Sequence, residues 1–443
     1  MNRNELMQNI DTIVVVMMEN RSFDHVLGHL RHPQYGNRTD VDGIEDVSNP
    51  AYVNPNTDGV GIAPFFMDDA PFGSDLPHDK GAVATQLAFA PVSGSFLMNG
   101  FVQAFENEFH TSVDRPPVMS ILTPQSLPTT GALAAQYTVC DRWFACLPTS
   151  TAPNRLMSMC GFTEIDDTGT FLPNQTTVYD WLLSHGVRWR VYSAGLPFVT
   201  LMTRLAPLLL TSHFRRLDDL KNDVISDQAD QWPQVIFIEP DYYDCPIHLQ
   251  DPCDNHAPLA MAPGEAFLAK VYGWLTSNPA RWARTVLIVT YDEHGGLFDH
   301  VAPLGVQYRN PQAGVSFDST GPRVPTIVAG PFAPQGVSHT PLDNTSILQL
   351  LAERFGQPGE AYSSTVVGRA STMASVSAVL SATAGNVTPM AIGPTTPLVV
   401  GASVLPGNAN LRAAFAGAVQ NMLSQHQAEA LAKYPELRGY SGG

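Results

Sequence analysis

Residues 12–25 read TIVVVMMENRSFDH, and residues 285–300 read TVLIVTYDEHGGLFDH. Each is an unbroken apolar run, rich in β-branched residues, that stops abruptly at acids and amides. A run without polar alternation belongs to a strand buried on both faces, as in a parallel sheet. Shorter runs of the same kind recur at 188–192, 234–238 and 324–328. Helical patterns fall between them. Phe23, Val26, Leu27 and Leu30 share a face, as do Val178, Trp181 and Leu182, and 264–274 and 346–355 keep helical spacing. Strands alternating with helices predict a doubly wound α/β fold with a mostly parallel sheet flanked by helices.

In an open sheet of this kind the ligand lies beyond the carboxyl ends of the strands. Glu19 and Asn20 stand at one such end, Asp292 and Glu293 at another. Carboxylates and amide oxygens are hard ligands suited to a divalent cation, and adjacent carboxylates repel unless something positive lies between them. Either pair alone reads equally well as a helix cap or a turn; both following buried strands is what makes them a site. Gly295 and Gly296 then let the backbone approach a ligand closely. Of the histidines nearby, His294 is a stronger candidate for contact with the site than His300, and His339 reads as structural. A third segment, LPTSTAPNRL at 147–156, sets three hydroxyl residues before a helix start, where backbone amides and the dipole favour phosphate. A hydroxyl there becomes a nucleophile if a cation lowers its pKa.

The chain has 443 residues, with 41 acidic side chains against 24 basic ones and a formal charge of −17. That balance excludes non-specific nucleic-acid binding, which needs basic stripes, and leaves at most transient membrane contact. The organisation expected is a catalytic domain over 1–357. Within it, 31–135 is rich in Pro, Asn, Asp and Gly and reads as a loop-rich insertion or lid. A C-terminal extension over 358–443 ends in a helix whose Leu411, Phe415, Val419 and Met422 form one stripe, fit to pack on the core or on a second copy in a homo-oligomer. The five cysteines match no zinc spacing, and Cys245 and Cys253 are placed to pair in an oxidising compartment. The run at 13–18 is too short for a signal peptide and nothing is long enough to span a bilayer. The expectation is a soluble protein, cytoplasmic or secreted after leader removal or by a leaderless route. Apolar residues at 65–67, 196–198 and 208–210 are either acyl-chain contacts or core.

Taken together, MENRSFDH (18–25), TAPNR (151–155), EPDY (239–242) with DNHAP (254–258), YDEHGGLFDHV (291–301) and SHTPLDNTSILQLLAERFG (338–356) resemble the phosphoesterase family of bacterial phospholipases C and related acid phosphatases. That branch is similar to the alkaline phosphatase superfamily. The likeness runs through most of 10–356 and stops before 358. It implies an alkaline-phosphatase-like core and one divalent metal ion held by Glu19, Asn20, Asp292, Glu293 and Thr151. All-oxygen ligands favour calcium or magnesium, with iron, zinc and manganese also open. The resemblance further implies Thr151 as the nucleophile, with Ser150 and Thr149 as the alternatives if the register shifts. It gives His256 and His78 as residues that bind phosphate oxygens or protonate the leaving alcohol. The implied substrate is a phosphoester: a phospholipid such as phosphatidylcholine for a phospholipase C, or, in the competing reading, a phosphomonoester for an acid phosphatase. One departure concerns substrate class. Where the phospholipases often carry Gly before the Pro-Thr of the nucleophile loop, this chain has Leu147-Pro148-Thr149.

Overall fold

The computed structural model describes residues 1–248, 251–385, 388–392 and 407–440. Its centre is an eight-stranded sheet built from β1 (Thr12–Met18), β2 (Thr138–Cys140), β3 (Trp189–Ser193), β4 (Phe214–Arg216), β5 (Val235–Glu239), β6 (Thr285–Tyr291), β7 (Ile327–Ala329) and β8 (Gly336–Ser338). In space the order is β4-β3-β5-β1-β6-β7-β2-β8. Only β7 runs antiparallel to its neighbours; the remaining pairings are parallel. The α/β fold with a mostly parallel sheet is therefore as expected. All seven side chains of β1 and all seven of β6 are buried, as strands covered on both faces require.

The departures have local causes. The expected strand at 324–328 begins only at Ile327, because Pro325 has no amide to give a ladder. Strands β2, β4 and β8 have three residues each, too short to leave a periodic trace. The insertion at 31–135 is less loop-like than its composition suggests. Helices α1 (Lys80–Leu87) and α2 (Phe101–Phe109) enclose a second small core that includes Phe72, Leu76, Val83, Phe101, Phe105 and Phe298.

The sheet positions the site simply. β1 lies between β5 and β6, with Met18 opposite Tyr291 and Val16 opposite both Ile238 and Val289. Three adjacent strands thus release their chains at one edge. Helix α3 (Thr151–Cys160) starts beside that edge, and α4 (Thr345–Phe355) packs against α3. At the far end of the chain, α5 (Ala409–Lys433) buries Leu411, Phe415, Val419 and Met422 in the same core as the sheet. That stripe is used within the chain, with Phe415 against Phe198 and Tyr242. All five cysteines are free and buried. The Cys245–Cys253 pair anticipated for an oxidising compartment is not formed: Cys253 Sγ accepts the Asp241 amide at 3.3 Å and Cys245 faces the Ile247 carbonyl at 3.3 Å. Among the described residues no helix is long and apolar enough to cross a membrane.

Candidate active site

Glu19 and Asn20 leave β1 into a tight turn in which Asn20 takes φ +60°, a left-handed conformation that asparagine tolerates better than most residues. Its amide donates to Asp292 Oδ1 at 3.1 Å, so the ends of β1 and β6 are joined at the site itself. Gly295 and Gly296, at φ +63° and +72°, come up against backbone. A Cβ on Gly295 would stand 2.1 Å from the Asn20 carbonyl oxygen, and one on Gly296 would stand 2.5 Å from that of Pro77. The glycine pair lets the β6 loop nest between the segments carrying Asn20 and His78.

Thr151 is the first residue of α3, and its hydroxyl lies 3.3 Å from Asn20 Oδ1. Ser150 and Thr149, its neighbours in register, are occupied elsewhere. Ser150 Oγ donates to Asp167 at 2.5 Å, and Thr149 Oγ1 donates to the Asp166 carbonyl at 2.6 Å. Asn154 fixes the turn: its amide nitrogen donates to the carbonyls of Leu147, Thr149 and Ser150 at 3.2, 2.9 and 3.1 Å. Of the three hydroxyls, only that of Thr151 meets the turn at the end of β1.

Both predicted histidines arrive at the same place. The Nε2 atoms of His78 and His256 lie 3.2 and 2.9 Å from Asn20 Nδ2. His78 Nδ1 donates to the Leu76 carbonyl at 2.6 Å, and its Nε2 is 4.0 Å from Glu293. His256 has Glu19 at 3.3 Å and Asp244 at 3.7 Å from Nδ1, and Asp75 at 3.2 Å from Nε2. Burial opposes charge on both rings, but these carboxylates outweigh it. They hold His78 above its ordinary value and His256 well above.

Several participants have no role that the sequence assigns. Arg155, the last residue of TAPNR, donates to Asp292 and Glu19 at 3.1 Å each, with all three side chains buried. Its guanidinium is braced by the rings of Phe198 and Tyr242. Asp75, Asp244 and Asp254 add three more acids around His256. Asp254 lies inside the DNHAP motif, and Asp75 lies three residues before His78. Gln86 links two loops, donating to the Pro77 carbonyl at 2.6 Å and meeting His294 Nε2 at 2.8 Å. His294 thus stands behind Glu293, 3.2 Å from its carboxylate. His300 belongs to a separate buried cluster with Asp24, Asp42, Asp299 and Arg323. His339 is mostly exposed and pairs with Asp141.

The acids outnumber their counter-charges. Six carboxylates (Glu19, Asp75, Asp244, Asp254, Asp292, Glu293) meet one guanidinium and three imidazoles, those of His78, His256 and His294. Burial pushes Asp244, Asp254 and Asp292 up to about 7, with Glu19 adding to the effect on each. Glu19 Oε2, Asp244 Oδ2 and Glu293 Oε1 are buried and have no hydrogen-bond partner among the described residues. Orphaned anionic oxygens at this density are what a cation would satisfy, so the residues fit a metal. Two sets, Glu19 with Asp254 and His256, and Asp75 with His78 and His256, bring their ligand atoms within 4.8 Å of one another. Asp292 is differently placed. Oδ1 accepts from the amides of Asn20 and Glu293, at 3.1 and 2.7 Å, and Oδ2 accepts from Arg155. Its remaining lone pairs still allow a further ligand.

Of the apolar segments, 196–198 is not a lipid-tail pocket beside β3. Leu196 and Phe198 are core, and the cavity that Phe198 lines with Met159 and Tyr179 is about 40 Å³, room for little more than water.

Buried acids, imidazoles and a helix-borne hydroxyl thus converge at the carboxyl edge of a mostly parallel α/β sheet. The model of the Phosphoesterase family matches residues 10–358, and the chain belongs to that family, as its motifs led one to expect. It is 35% identical to non-specific phospholipase C1 of Arabidopsis thaliana over 352 residues, which cover 75% of this chain and 63% of that protein. It is 30% identical to phospholipase C A of Mycobacterium tuberculosis over 412 residues, covering 79% of this chain and 74% of that one. The chain therefore spans somewhat less than two thirds of the length of the plant relative. Among solved structures, the phosphonate monoester hydrolase of Agrobacterium radiobacter aligns with 78% of this chain and 74% of its own, at 10% identity and a TM-score of 0.35, too remote to bear on activity.

Proposed function

We propose that this protein is a metal-dependent phosphoric-ester hydrolase with Thr151 as nucleophile, acting as a phospholipase C on phospholipids such as phosphatidylcholine. The observation that carries the reading is the Thr151 hydroxyl at a helix N-terminus, 3.3 Å from Asn20, at a strand edge where oxygens of Glu19 and Glu293 are unsatisfied. Glu19, Asn20, Asp292 and Glu293, together with Thr151, would hold one divalent cation, calcium or magnesium by the hardness of the ligands. When bound it supplies Lewis-acid stabilisation of charge on the phosphoryl oxygens.

The chain's own groups account for the rest. The Thr151 amide at the start of α3 receives a phosphoryl oxygen, since the Ala152 amide donates to Thr168 Oγ1 at 3.1 Å and Pro153 has no N–H. Thr151 Oγ1, its proton lost to solvent, attacks phosphorus as the alkoxide while the bond to the leaving oxygen breaks. His256 or His78, whose charged form the surrounding acids favour, gives that oxygen its proton. Water then attacks the phosphothreonine, returns a proton to the imidazole and frees Thr151. Arg155 keeps Glu19 and Asp292 in place throughout. For a phosphatidylcholine the products are diacylglycerol and phosphorylcholine.

A second observation favours the lipid diester over the monoester of an acid phosphatase. Of the ten large hydrophobic side chains exposed among the described residues, five (Val60, Phe89, Val92, Leu97, Val113) fall in the insertion that supplies His78. Phe89, Val92 and Leu97 stand on one hairpin, built from Phe89–Ala90 and Ser95–Phe96, an apolar tip suited to a lipid surface, and the relatives' own names support diester cleavage. The test is to compare wild type with Thr151→Ala and Thr151→Ser on an aryl phosphorylcholine and on an aryl phosphate, with elemental analysis of the protein. Loss of activity on removal of the hydroxyl by about 10³-fold or more, partial retention in the serine variant and preference for the diester are expected. A fully folded Thr151→Ala enzyme with near-wild-type turnover refutes the nucleophile; preference for the monoester moves the assignment to acid phosphatase.

A further inference from the structure

At the opposite end of the sheet, where β1, β3 and β5 begin, a cavity of about 370 Å³ is lined by Asp11, Thr12, Arg188, Trp232, Arg281 and Arg354 among others. β1 is seven residues long, so roughly 20 Å of strand separates this pocket from Glu19 and Asn20. Three arginines converge here in a chain whose acids outnumber its bases 41 to 24. None of the three is paired with a carboxylate among the described residues. The three acids that bear on Arg354 and Arg281 are already taken: Asp11 by Arg284, at 2.5 and 2.9 Å, Asp227 by Arg190, and Asp223 by Arg190 and Arg215.

The guanidiniums are nevertheless held in place. Arg188 Nε donates to the Trp232 carbonyl at 3.0 Å, and Arg354 Nε to the Ile10 carbonyl at 2.9 Å. Arg281 donates to the Asp227 carbonyl and lies over the Trp232 indole, 4.1 Å from its centroid. Trp232 is itself fixed by its Nε1–H on Thr12 at 3.0 Å. Carbonyl partners orient an arginine without neutralising it, and an Arg fork so held is suited to bidentate recognition of phosphate. Burial lowers Arg354 from its ordinary value; Asp11 works against that shift, and Arg284 and Arg3 add repulsion to it. An anion in the cavity would relieve that repulsion.

We propose that this pocket binds a phosphomonoester dianion, using Arg188, Arg281 and Arg354, at a site separate from the catalytic one. The Asp11 carboxylate in the wall is turned to Arg284 and leaves the anion to the three arginines. The volume admits inorganic phosphate or a phosphorylated head group. The same chemistry could also be presented by a lipid such as phosphatidic acid, so the experiment uses both sources.

Calorimetric titrations with inorganic phosphate and with phosphorylcholine, and co-sedimentation with phosphatidic-acid vesicles, are compared for wild type, Arg188→Ala and Arg188→Ala/Arg354→Gln. Inhibition of ester hydrolysis by phosphate reports the catalytic site independently, and the unliganded melting temperature reports folding. The expected result is a binding event that weakens at least tenfold in Arg188→Ala and disappears in the double variant, with turnover and phosphate inhibition unchanged. Arginine-dependent binding of the dissolved anions assigns a free ligand; arginine-dependent binding of vesicles alone assigns the lipid-borne one. If neither source gives binding that depends on these arginines, the site does not exist.

Discussion

Gly295→Ala is a one-carbon change that tests whether the glycine pair sets the geometry of the site. The new Cβ would stand 2.1 Å from the Asn20 carbonyl oxygen, where contacts under 3.0 Å essentially never occur. One of the two segments must therefore move by about 1 Å, and both carry candidate ligands. Alanine at φ +63° also costs about 1 kcal/mol in conformational strain. The two effects separate by choice of control. Gly314 has φ +70°, and a Cβ added there would meet nothing within 4 Å, so Gly314→Ala carries the strain without the clash. A displacement of this size in a positioning segment costs on the order of 100-fold in rate, or about 2.7 kcal/mol in transition-state stabilisation. Measured on a soluble aryl phosphorylcholine, Gly295→Ala should lose roughly that factor in kcat/KM. Gly314→Ala should stay within about twofold of wild type, while both shift the urea midpoint slightly. Wild-type kcat/KM in a folded Gly295→Ala protein would mean that the Asn20 turn does not set the reaction geometry.

Two further outcomes follow from the packing. The His300 imidazole donates to Asp24 at 2.7 Å and reaches Asp42 at 3.3 Å. Burial opposes its charge, but Asp24 prevails and pushes it up to about 9. A histidine raised in the folded state contributes stability that is complete below its unfolded value of about 6.5 and is lost as pH rises through 9, up to about 3 kcal/mol in this case. His300→Gln should therefore destabilise most near pH 6 and least near pH 10 in urea unfolding; an equal cost at both pH values would show that the ring acts unprotonated. On the insertion, Val92 and Leu97 are exposed by 104% and 51%. The Val92→Asp/Leu97→Asp double variant should cut hydrolysis of vesicle phospholipid at least tenfold while leaving the soluble diester within about twofold. Equal rates on both substrates would remove the lipid-facing role of that hairpin.

What is legible in the sequence depends on how locally each feature is encoded. A strand buried on both faces must be apolar at every position, so β1 and β6, and with them Glu19, Asn20, Asp292 and Glu293, stand out at once. Asp75 and His78 lie in a segment without periodicity, and their approach depends on the insertion folding its own small core. Asp254 reaches the site because the loop after β5 turns back over the strand end. There the Asp254 carbonyl accepts the Glu19 amide at 2.8 Å, and its carboxylate accepts that of Tyr243 at 2.6 Å. The first of those contacts spans more than 200 residues and leaves no trace in spacing. The glycine pair is visible but its purpose is not, because a sequence shows that backbone can come close without showing what it comes close to. The same limit applies to the acids. Asp292 and Glu293 are adjacent and chemically alike, yet the fold satisfies the first with two amides and an arginine and leaves an oxygen of the second bare. A cation entering this site would therefore meet Glu293 and Glu19 as open ligands and Asp292 as one already committed. Loss of either glutamate should then weaken metal binding directly, whereas loss of Asp292 should act also by releasing Arg155 and the Asn20 turn.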